Sequence, residues 1–182
     1  MRINQLTESN KILYHGDDYG TTALNPQWMM HRESNNQEGI GIYFSPDINI
    51  AKSYGNKISK IDADGLRIVN SRMPVGNAIK ERDAVNLLKY IFENDEDFWY
   101  KISDYIEVTG PEDVSDYHFH ELFQMMEGQE IRNWQSEFAM ATDITVFVTG
   151  WNKFIPIDGL YEQRTKHHSI INTNIKVERV NF

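Results

Sequence analysis

Short runs of β-branched and aromatic residues at both ends of the chain bracket a middle that is patterned as amphipathic helix, and this segregation restricts the fold more than any other feature. Strands gathered at the two ends around a helical middle point to an α+β architecture. The pattern predicts strands over Lys11–His15 and Gly39–Phe44, one or two more within Ile58–Val69, and others at Phe154–Ile157 and Ser169–Val180. Asp158-Gly159 reads as a turn between elements, and Asp17–Glu38 as a long loop with at most one turn of helix. Ser45-Pro46-Asp47 reads as a helix start, with a Ser cap, Pro at the first position and an acid in the first turn; that helix runs to Tyr54 and ends at Gly55. Further helices are predicted at Arg82–Phe92, Asp97–Ile106, Asp116–Met126 and Asn133–Ala141, while Ile144–Val148 fits either a strand or a buried helix.

A chain of 182 residues matches one domain, read here as residues 1–182 with a helical insert at about 82–141. Its hydrophobic fraction of 40% is too high for a disordered polymer. The absence of cysteine excludes a disulfide scaffold, a thiolate zinc site and a cysteine nucleophile. No apolar run is long enough for a membrane span, and Met1–Glu8 carries no secretory h-region, so a cytoplasmic location is the expectation. The 27 acidic residues against 18 basic ones give a net charge of −9, which argues against a nucleic-acid backbone as partner.

Two segments could carry chemistry. Leu13-Tyr14-His15-Gly16 places a histidine at a strand end, followed by a residue that lets a ligand approach the backbone; such a histidine is also common as an ordinary strand-end side chain. Gly39-Ile40-Gly41-Ile42-Tyr43-Phe44-Ser45 precedes the helix that holds Ala51 and Tyr54. A strand that turns into a helix can bring Tyr43 and Tyr54 to either side of a planar ring, each stack worth about 0.5–1.5 kcal/mol, although the same spacing serves plain core packing. Tyr117-His118-Phe119-His120-Glu121 contains a His-x-His pair, but the helical pattern around it makes the two imidazoles diverge, so it reads as a polar helix face and no metal is expected. Trp28, Trp99, Trp134 and Trp151 are assigned to packing, and the acidic run Glu93–Asp97 to a solvated helix end.

The two segments together, Tyr-His-Gly and then Gly-Ile-Tyr-Phe-Ser with Ala-Lys-Ser-Tyr-Gly, resemble the ADP-ribosyltransferase superfamily over residues 11–57, in its diphtheria-toxin and poly(ADP-ribose) polymerase-like branch with the His–Tyr–Glu signature. The resemblance implies a split β-sandwich with an inserted helical region, and NAD as substrate. His15 would bond the adenine-side ribose, the Gly16 backbone the nicotinamide carboxamide, Tyr43 and Tyr54 would flank the nicotinamide ring, and Ser45 would support the carboxamide. Where the family has its third-motif Glu, this chain has His167 in His167-His168-Ser169-Ile170-Ile171-Asn172, with Glu162 and Gln163 just before it. The acid's role therefore falls to Glu162 or His167, with Gln163 as a further candidate. The implied activity is mono-ADP-ribosylation of a macromolecule, a protein rather than a nucleic acid, as in compact phage and bacterial effectors. A catalytically silent binder or inhibitor of the same fold, and an NAD glycohydrolase, are the alternatives.

Overall fold

The computed structural model describes residues 12–30 and 38–182; Lys11, residues 31–37 of the predicted loop, and the segment Met1–Glu8 lie outside the described residues. The chain is mixed α and β, with helices and strands segregated along the sequence as expected. It divides into two compact units, one formed by Met1–Ser71 with Ile157–Phe182 and the other by Arg72–Pro156.

The first unit holds all the described strands. β1 (Ile12–Asp17), β3 (Lys57–Asp62) and β7 (Glu178–Arg179) form one sheet in the order β1-β3-β7, and β2 (Ile42–Phe44), β4 (Ile68–Asn70), β5 (Gly159–Glu162) and β6 (His167–Ile170) form another in the order β2-β6-β5-β4. A bridge between Tyr14 and Ser45, with both backbone N–H···O bonds at 2.8 Å, ties the two sheets together. Leu13, Ile58 and Ile61 from one sheet and Ile42, Phe44, Leu160 and Ile170 from the other are buried. The predicted strand Gly39–Phe44 pairs only from Ile42, because Gly39 and Gly41 have φ of 93° and 150°, outside the range of a regular strand. The predicted Ser169–Val180 strand is two strands in different sheets: β6 ends at Ile170 and β7 pairs with β3.

Three further expectations need correction. Ser45 does not cap the helix; α1 (Ile48–Lys52) is capped by Asp47, whose carboxylate accepts from Asn49 N at 2.8 Å, and Ser45 Oγ instead accepts from Asp47 N. Asp158-Gly159 is no turn, since Gly159 opens β5 and Asp158 accepts from Arg67 N at 2.7 Å and Asn172 Nδ2 at 2.6 Å, clamping three segments at the sheet's end. Trp28 lies in a short 3-10 turn, Pro26–Trp28, and is 53% exposed rather than packed.

The second unit is helical: α2 (Val75–Ala78), α3 (Glu81–Asn94), α4 (Phe98–Ile106), α5 (Asp116–Met126), α6 (Ile131–Met140) and α7 (Ile144–Phe154). It is wider than the predicted 82–141 insert. Ile144–Val148, open between strand and helix in the sequence, is helical because Asp143 caps the N–H groups of Thr145 and Val146, and because Phe147, Val148, Gly150 and Trp151 form one buried face. For the same reason Phe154 ends a helix, and no strand forms at Phe154–Ile157. Trp99, Trp134 and Trp151 are buried as expected. The acidic run has a structural duty at Asp95, whose carboxylate accepts from Asp143 N at 2.6 Å. Among the described residues no helix is long and apolar enough to cross a membrane.

Gly16 is the tightest backbone approach near β1. A Cβ there would fall on the carbonyl of Ala51 in α1. Gly16→Ala is therefore expected to lower stability by about 3 kcal/mol, by forcing α1 off β1, read as a drop in the denaturant midpoint at unchanged slope.

Candidate active site

Antiparallel pairing sets Tyr43 opposite Ser169, Leu160 opposite Ser169, and Glu162 opposite His167. Because side chains alternate along a strand, Tyr43, Leu160, Glu162, His167 and Ser169 share one face of the sheet. Phe44, Tyr161 and His168 share the other, where the Tyr161 and His168 rings lie 4.8 Å apart.

His15 reaches this sheet at its edge. Its Nδ1 lies 2.8 Å from the Tyr43 carbonyl oxygen and its Nε2 3.2 Å from Asp17 Oδ2. Both partners are acceptors, so both bonds form together only when each ring nitrogen carries a hydrogen. Asp17 is itself gripped by the N–H groups of Tyr19, Gly20 and Thr21 and by the Thr21 hydroxyl. Burial opposes its ionisation, but these donors and the His15 charge outweigh it and bring its pKa down to about 2. A ribose hydroxyl reaching His15 Nε2 would have to take the place of Asp17.

Tyr43 is largely buried, and its hydroxyl donates to the Gly39 carbonyl at 2.9 Å. Burial, and then the negative charge of Glu38, push its phenol well above the ordinary range, so it remains a neutral donor. Tyr54 sits beyond the end of α1, is 64% exposed, and meets the His167 ring edge-on at 5.9 Å between centroids. Gly16 is buried beneath α1, and Ser45 is buried at the bridge to Tyr14 with its hydroxyl engaged by Asp47 N.

At the third motif, Glu162 is buried at the end of β5, accepting from Ser71 Oγ at 3.2 Å and Arg164 N at 3.1 Å. Gln163 is exposed in the β5–β6 turn, which closes through Lys166 at a φ of 59°. His167 Nδ1 lies 2.9 Å from each carboxylate oxygen of Glu38. Glu38 was not among the sequence candidates. It is 7% exposed, one residue before the Gly39–Ser45 motif, and the only sequence signal was that position beside the motif. Burial raises its pKa, but hydrogen bonds from His167 and Thr165, with the charge of His167, prevail and hold the carboxyl below its ordinary range, against the opposing charge of Glu162. The structure thus gathers Tyr43, Tyr54, Glu162 and His167 with Glu38, and links His15 to them through the Tyr43 backbone.

The His-x-His pair lies on α5, where His118 pairs with Glu121 and His120 with Glu81 and Gln124, so the two rings engage different partners. Among the described residues no three His, Asp or Glu side chains gather as a metal site.

No family model matches the sequence, and no curated protein does. Among solved structures the chain is similar to one described as an anti-CRISPR protein, at 11% identity and a TM-score of 0.36, over 93% of this chain and 94% of that one.

Two titrating groups of the first unit, His168 on the opposite sheet face and Asp17 beside His15, make stability depend on pH in separate windows. Burial, with the charge of His167 second, lowers the His168 pKa from 6.5 to about 4. The folded state then binds fewer protons than the unfolded chain between these values, so stability falls as pH drops from about 6.5 to 4, by on the order of 2–3 kcal/mol. Asp17, lowered from 3.8 to about 2, adds a further loss below pH 4. A melting-temperature series against pH is expected to show both, with His168→Leu removing the upper window and Asp17→Asn the lower.

Proposed function

We propose that the chain is an NAD-dependent mono-ADP-ribosyltransferase acting on a macromolecule, with its first unit as a split β-sandwich of the ADP-ribosyltransferase kind. The observation that carries the reading is convergence. The two segments with the family resemblance and the third-motif region are more than 100 residues apart in sequence, yet Tyr43, Glu162 and His167 share one sheet face, Tyr54 touches His167, and His15 bonds the Tyr43 carbonyl. A two-sheet unit bridged at Tyr14–Ser45 supports the finer fold assignment.

The chemistry follows from charge. Departure of nicotinamide leaves an oxocarbenium-like C1′ on the ribose, and the task of the site is to hold NAD in place and favour that positive charge. Glu38 and Glu162 supply buried negative charge on the face that carries Tyr43. Tyr54 offers an exposed ring for stacking, and the neutral Tyr43 phenol lies against the Gly39 carbonyl, where it shapes the floor of the site. The net charge of −9 favours a basic protein surface over nucleic acid as the acceptor.

Incubation with NAD labelled in the adenylate tests this. Label passing to a macromolecule is the expected result; free ADP-ribose alone would make the chain a glycohydrolase, and no reaction by the folded chain would make it a binding protein. Tyr54→Ala is expected to raise the KM for NAD about fivefold, equivalent to roughly 1 kcal/mol of stacking, with no change in melting temperature because the side chain is exposed.

A further inference from the structure

The third-motif histidine is built as half of a dyad. Glu38 is more than nine-tenths buried, and both its oxygens lie 2.9 Å from His167 Nδ1. A carboxylate accepts and does not donate, so Nδ1 carries the hydrogen and the unprotonated position of the neutral ring is Nε2. Nε2 has no hydrogen-bond partner among the described residues, and the His167 side chain keeps 13% of its surface open, beside Tyr54. A buried carboxylate that fixes the tautomer and orientation of an imidazole whose second nitrogen stays open is the arrangement that makes histidine a general base. Packing alone does not call for it, because burying a carboxylate is costly unless its hydrogen bonds are complete.

We infer that His167 Nε2 is the general base that deprotonates the acceptor, that Glu38 positions it, and that the acceptor is therefore a group that must lose a proton, such as a hydroxyl, rather than a carboxylate. The inference rests on the transferase reading above and names its substrate class. In the step, the C1′–N bond to nicotinamide breaks and its electron pair leaves with the neutral pyridine. A lone pair of the acceptor oxygen forms the new C1′–O bond, and the hydroxyl proton passes to His167 Nε2. The imidazolium then gives that proton to water. A carboxylate acceptor has no proton to lose and would gain nothing from the dyad. While the His167 ring is neutral, Glu38 also gives the site the negative charge that a histidine at the third motif lacks.

The test uses the full chain, NAD, and two hydroxyl acceptors that need no target recognition, water and methanol, with nicotinamide, ADP-ribose and methyl ADP-ribose measured separately. Wild type is expected to form both ribosyl products. His167→Ala is expected to lose about 100-fold in rate and to regain rate when free imidazole is added, which a merely structural defect would not do. His167→Gln, which keeps a donor for Glu38, is expected to be as slow as His167→Ala while melting like wild type. Glu38→Gln is expected to lower kcat on the order of 10–100-fold with KM for NAD unchanged, and Glu38→Asp to recover part of the loss. Wild-type rates in His167→Gln, or no imidazole rescue of His167→Ala, would overturn the dyad while leaving the transferase reading in place. Failure of the wild-type chain to release any nicotinamide would overturn both.

Discussion

The site depends on one pairing, that of β6 with a neighbour on each side. β6 lies between β2 and β5, and so holds residues 42–44, 159–162 and 167–170 in one ladder. Because the side-chain period in a strand is two, register decides everything about the shared face. With Tyr43 opposite Ser169, the residues facing together are Tyr43, His167 and Glu162; a slip of one residue in β6 would put His168 among them instead. Ser169 helps to hold that register from a buried position. Its hydroxyl donates to the Ile40 carbonyl at 2.9 Å, and a Cβ at Gly41 would collide with that same hydroxyl. The glycines ahead of Tyr43 thus do more than loosen the chain, since Gly41 makes the space that the β6 serine fills.

Local signals in the sequence revealed elements where those signals were strong, and failed where distant partners decide. The helices at 82–92 and 116–126 carry their apolar stripes openly, and the structure has α3 and α5 there. Ile144–Val148 could not be resolved by β-branching, because what makes it helical is a cap from Asp143 and burial of one face, and burial is a tertiary fact. Strand β5 was invisible. Gly159-Leu160-Tyr161-Glu162 has a turn residue at its head and a charge at its tail, and it is a strand because β4 and β6 flank it. Asp17 likewise passed for a loop residue, yet it ends β1 and organises the turn through Thr21 while holding His15.

Motif spacing picked out Tyr43, Tyr54, Glu162 and His167, which the structure brings together, but not their surroundings. The family resemblance implies ligand contacts at Gly16 and Ser45; in the structure one sits where α1 leaves no room for a side chain and the other joins the two sheets. Glu38 escaped notice because nothing about a glutamate ahead of a glycine announces burial. Its meaning comes from a partner 129 residues away.

That distance bears on how the two residues depend on one another. A buried carboxylate without a donor raises its own pKa and becomes neutral, which removes its charge from the site. The imidazole of His167, with a hydrogen bond from Thr165, prevents this for Glu38, even though Glu162 pushes the other way. The pairing also fixes the orientation of the His167 ring, because both Glu38 oxygens lie 2.9 Å from Nδ1. His167 and Glu38 are therefore one arrangement: without His167, Glu38 would lose a donor that offsets its burial, and without Glu38 the imidazole would lose the carboxylate that orients it.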